Sequence, residues 1–154
     1  HGFTYGAGSS ISWARLARML CVSTSVETRA TVPALVEILG ELGRMREHGV
    51  DDEELDRARE LAGEEVLASA ETLRGLVDSY AELVLRRRAL DALATLPRRL
   101  AAVSREQIAR LVRRRIDPAR ATLVVVGDLA AVRADLEARF GPAQLRDADG
   151  RPRS

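Results

Sequence analysis

Few residues in this chain could do covalent or acid–base chemistry, and their spacing narrows what they could do. Only two histidines occur, His1 at the start and His48 in the stretch EHGV, and neither has a second histidine one helical turn away. Zinc needs three or four converging His, Cys or carboxylate ligands, so no zinc motif is written here. His48 next to Gly49 instead suits a helix C-terminus, where the dipole favours partial positive charge. The single cysteine, Cys21, has no internal disulfide partner, and within an apolar stretch it reads as a buried, inert thiol. Serines and threonines lie in strand and cap positions without a partner His, so no nucleophilic triad can be assembled. The stretch GAGSS is followed by a strand pattern rather than a helix, which removes the phosphate-loop reading. Two arginine clusters, Arg86-Arg87-Arg88 and Arg113-Arg114-Arg115, could grip phosphates, yet each falls at an expected helix C-terminus, where Arg offsets the dipole and caps carbonyls. Tyr5 is a good strand former and on spacing alone is a structural residue.

The elements that must position these groups follow from periodicity. Phe3 to Ile11 and Leu16 to Val26 read as two strands joined by a short connection, hence an antiparallel hairpin. Leu35, Ile38, Leu39, Leu42 and Met45 recur at helical spacing, with Pro33 in the first turn and Gly49 as the stop. Asp51 and Glu54 form a capping box opening a second helix with Leu55, Ala58, Ala62 and Val66 on one stripe. The stripe is renewed after a break near Ala70 by Leu73, Leu76, Val77, Tyr80 and Val84. Leu93, Leu96, Leu100 and Val103 continue a helical pattern across Pro97, which requires a kink or a fresh first turn. Ser104 and Gln107 form another capping box, opening a helix with Ile108, Leu111 and Val112 inward, ended by Asp117-Pro118. The run ATLVVVGD then has the length and composition of a late strand that joins the hairpin. A closing helix with Leu129, Val132, Leu136 and Phe140 stops at Gly141-Pro142. The expected class is α+β, a small mainly antiparallel sheet of a hairpin plus one late strand packed against several consecutive helices. Residues 1–141 form one domain, and the polar residues 142–154 a disordered tail.

Composition excludes several function classes. With 24 Lys+Arg against 23 Asp+Glu the net charge is +1, so no overall field steers the chain onto nucleic acid or an acidic membrane. Aromatic residues make up 3%, too few for base-stacking platforms. No apolar run approaches the roughly 20 residues that span a bilayer. All basic residues are Arg, a bias that fits a GC-rich bacterial genome. Neither the bacterial periplasm nor the cytoplasm is favoured by the sequence.

The order GFTYGAGSS, second strand, helix, GVDDEELDRAR, a helix interrupted by ASAET, AAVSREQIARLVRRRIDP and ATLVVVGD resembles the C-terminal, non-zinc domain of the insulinase/pitrilysin zinc peptidases, near the bacterial mitochondrial-processing-peptidase-like branch. The resemblance runs from His1 to about Asp128. It implies an N-terminally truncated domain of a clamshell peptidase built from paired α+β domains. One domain of such a pair carries an inverted H-x-x-E-H motif and the Zn; the other supplies an Arg and a Tyr that reach the scissile region. Tyr5 matches that Tyr, and the Arg would lie upstream of His1. The resemblance thus implies a chain that binds no cofactor and cuts nothing itself. It would hold peptide substrate beside a zinc-bearing N-terminal domain or partner subunit, and could self-associate through an exposed sheet edge. A scaffold subunit of the same fold without peptidase activity stays open, and an Arg-rich nucleic-acid module is a third reading.

Overall fold

The computed structural model describes residues 4–13 and 18–152, with side chains for all of these except 4, 5 and 13. Strands β1 (Thr4–Trp13) and β2 (Arg18–Val26) come first. Six helices follow: α1 (Thr31–His48), α2 (Asp52–Ala70), α3 (Leu73–Leu85), α4 (Ala92–Ala101), α5 (Arg105–Arg115) and α6 (Leu129–Phe140). Short 3-10 turns occupy Thr28–Ala30 and Pro118–Arg120. The class is α+β, strands segregated from a run of helices as the sequence pattern implies.

The expected late strand does not form among the described residues. Residues 121–126 join no ladder among the described residues, and Val124 and Val126 are 81% and 95% exposed. An apolar run becomes a strand only where a neighbour accepts and donates its backbone hydrogen bonds. The sequence shows the run but cannot show the neighbour. The sheet is therefore the two-stranded pair β1-β2. On β2, Val22, Thr24 and Val26 are half-buried at alternating positions, while Ile11 and Met19 lie open. Cys21, expected to be buried, is exposed on β2.

The chain divides into two compact units, and the boundary falls within α1, between Leu42 and Gly43. The first unit, residues 1–42 and 118–154, holds the hairpin, the start of α1 and α6. Here α6 packs against the Thr28–Ala30 turn, and the buried residues are Ala30, Ala34 and Val132. Asp128 caps α6 by accepting from Ala130 N–H at 3.1 Å and Ala131 N–H at 3.4 Å. Beyond Gly141, a stretch expected to be disordered carries a closed turn. Gly150 N–H donates to Asp147 O and Asp147 N–H to Arg151 O, both at 2.9 Å, with Gly150 at φ +77.

The second unit, Gly43–Asp117, is helical. Both expected capping boxes form: Asp51 Oδ1 accepts from Glu54 N–H at 2.8 Å while Glu54 accepts from Asp51 N–H at 2.9 Å, and Ser104 and Gln107 do the same for α5. Each satisfies two donors that a helix start leaves orphaned. α2 packs on α3 and α4, and Leu55 and Val112 are buried. Pro97 lies inside α4, past its first turn, where it removes one backbone donor. Apolar periodicity overstates burial here. Leu73, Val77, Tyr80 and Val84 of α3 are 80%, 58%, 44% and 64% exposed, and Leu111 of α5, expected to face inward, is 60% exposed.

Candidate functional site

Tyr5 sits on β1, where small and β-branched residues make an extended backbone the natural choice. Thr4 pairs with Val26 and Ala7 with Thr24, so the register slips by one between them and Tyr5 and Gly6 together oppose Ser25. That is a β-bulge, which bends its strand and re-aims the side chains beside it. Thr24 Oγ1 donates to Gly6 O at 3.0 Å and fixes the second residue of the bulge. Tyr5 thus stands at the one irregularity in the ladder, while its own side chain, like all of His1 and Phe3, lies outside the described residues.

The chemistry-bearing groups elsewhere have structural roles. His48 ends α1, is 77% exposed, and has Glu47 within 3.8 Å. Gly49 at φ +75 takes the left-handed conformation that terminates the helix, as its position after the last apolar residue implies. Among the described residues no group of three His, Cys, Asp or Glu side chains could hold a metal ion.

The arginines proved more informative than their clustering. The Arg113-Arg114-Arg115 cluster is expected to cap the carbonyls of α5, but the last of them are taken by Arg46, from the end of α1. Its Nη1 donates to Arg113 O and Ile116 O, both at 2.6 Å. Of the cluster, only Arg113 reaches a carbonyl, Ala109 O at 3.3 Å. Two more arginines tie the helices together: Arg59 Nη2 donates to Val103 O at 2.6 Å, and Arg105 Nε to Val50 O at 2.8 Å. No spacing rule reveals these, since their partners lie 44 to 70 residues away. The Arg86–88 cluster does belong to a helix end. Arg86 pairs with Glu82, Arg87 takes φ 52, and Arg87 N–H and Arg88 N–H close onto Val84 O and Leu83 O at 3.0 and 2.8 Å. Glu106 is held below the usual carboxylate range, chiefly by the Ser104 hydroxyl donating to it at 2.6 Å, then by its own backbone N–H and the charges of Arg105 and Arg110.

Comparison with known proteins adds one match. Residues 1–61, about two-fifths of the chain, match the family model of the Peptidase M16 inactive domain, the family of the insulinase/pitrilysin peptidases. The matched stretch spans the hairpin, α1 and the capped start of α2, and it includes Tyr5. No curated protein and no solved structure matches.

Proposed function

We propose that this chain is a non-catalytic, substrate-holding domain of a zinc-dependent M16 peptidase, working beside a zinc-bearing N-terminal domain or partner subunit of the bacterial processing-peptidase-like kind. The observation that carries the proposal is the match of residues 1–61 to the inactive M16 domain, which contains the bulge at Tyr5. In this reading the chain encloses a peptide, and the Tyr5 phenol donates a hydrogen bond to the scissile or a neighbouring carbonyl. A donor fixed on a strand acts by register: it holds the peptide still and stabilises negative charge that develops on the oxygen. In this reading the zinc and the general base belong to the partner domain.

The test is Tyr5→Phe in the full peptidase, the chain together with its zinc-bearing partner. Losing one oxyanion donor costs about 2.7–4 kcal/mol, so turnover should fall on the order of a hundredfold, with zinc content and melting temperature unchanged. Turnover that survives, or that falls only in step with unfolding, makes Tyr5 a plain strand residue. A scaffold role is the second reading, favoured by the description of the matched domain as inactive. It predicts an assembly whose partner also lacks H-x-x-E-H and which cleaves no peptide.

A further inference from the structure

Two exposed helix faces in the second unit carry the same pattern with opposite charge. On α2, Glu60-Leu61-x-x-Glu64-Glu65 places carboxylates at −1, +3 and +4 from a leucine. On α5, Arg110-Leu111-x-x-Arg114-Arg115 places guanidinium groups at the same three offsets. Positions −1, +3 and +4 lie within about a third of a turn of the central residue, so each leucine is flanked on its own face by three like charges. Leu61 and Leu111 are each 60% exposed, and all six charged residues are exposed, so neither face covers the other within the molecule.

These side chains have no other evident work. Glu60, Glu64, Glu65, Arg114 and Arg115 make no ion pair or hydrogen bond among the described residues, and Arg110 acts only on Glu106 of its own helix. At the end of α5 the Arg113 and Ile116 carbonyls are taken by Arg46. Within each triad one like-charge pair stands at i and i+4, Glu60 with Glu64 and Arg110 with Arg114, and repels along its own helix, a cost that an oppositely charged partner face would remove. The one intruder on the acidic face, Arg57, is already neutralised by Glu53 at 2.5 Å. The helices as wholes carry the same asymmetry: α2 has seven acidic residues against two arginines, and α5 five arginines against one glutamate.

We infer that the α2 face centred on Leu61 docks on the α5 face centred on Leu111 of a second copy of this chain. The leucines supply the apolar contact and the six charges set orientation and partner choice. The inference is independent of the peptidase reading, because it uses no residue of the hairpin.

The full 154-residue chain tests it by sedimentation velocity over a concentration series. One variant carries Glu60→Arg, Glu64→Arg and Glu65→Arg; the other carries Arg110→Glu, Arg114→Glu and Arg115→Glu. Wild type should self-associate, and more weakly as salt rises from about 0.05 to 0.5 M, where screening shortens the reach of charge. Each variant alone should lose at least about tenfold in affinity, since it presents two faces of one sign. An equimolar mixture of the two should recover association. If circular dichroism shows that the triple replacement in α5 unfolds it, Arg110→Gln with Arg114→Gln replaces it and should still weaken association. A wild type that stays monomeric, variants that associate as wild type does, or a mixture without recovery overturns the inference. So does a monomer whose α5 arginines bind a single-stranded oligonucleotide in preference to a second copy.

Discussion

The sharpest check on the second unit is a pair of identical substitutions at two helical glycines with opposite outcomes. Gly75 lies in the first turn of α3, its N–H donated to the capping Thr72 Oγ1 at 3.0 Å. Only Glu71 and Thr72 separate α3 from α2, whose last carbonyls turn toward the new helix. A Cβ built on Gly75 overlaps the Ser69 carbonyl oxygen and comes within 3.0 Å of both Ser69 C and Thr72 Oγ1. The obstacle is backbone and cannot swing aside, so the cost sits near the top of the overpacking range, about 3 kcal/mol. Alanine's better helix propensity returns about 1 kcal/mol, leaving Gly75→Ala destabilising by about 2 kcal/mol. Gly63, inside α2, has nothing within 4 Å of its would-be Cβ, so Gly63→Ala keeps the propensity gain and stabilises by about 0.5–1 kcal/mol. Urea titrations followed by far-UV circular dichroism should therefore separate two Gly→Ala variants of one chain by about 2.5–3 kcal/mol. If both move the same way, the tight α2–α3 corner does not exist as described.

Arg87 stands in the left-handed region where glycine is favoured, so Arg87→Gly should stabilise by about 0.5–1 kcal/mol; a loss, or an equal gain from Arg88→Gly, contradicts the closing geometry of α3. Arg46→Gln withdraws a charged donor from two α5 carbonyls and should cost about 1–2 kcal/mol in chemical denaturation; a change below about 0.5 kcal/mol would mean water replaces it. Glu106 has a lowered pKa in the folded chain, so its ionised form stabilises the fold above the ordinary carboxylate range, and that contribution disappears as pH falls through the folded pKa. The stability difference between wild type and Glu106→Gln should accordingly be present at neutral pH and shrink in acid; a difference that is flat with pH refutes the Ser104 contact as its cause.

What was legible in the sequence is what depends on neighbours a few residues away. The capping boxes at Asp51/Glu54 and Ser104/Gln107, the stop at Gly49, the break after Ala70 and the antiparallel hairpin are each settled by local hydrogen bonds and turn chemistry, and each is present. Tyr5 could be singled out only through family likeness, since a strand tyrosine is unremarkable by spacing. Other expectations failed on what lies across space. Among the described residues ATLVVVGD has the composition of a strand but no ladder neighbour, Cys21 and Leu111 have the pattern of buried residues yet are exposed, and the Arg113 and Ile116 carbonyls at the end of α5 are closed by Arg46 from another helix. Periodicity reports which face of an element is apolar, because that is fixed by the backbone's own repeat. Whether anything covers that face is decided by the distant segments that pack there, and only the tertiary structure contains them.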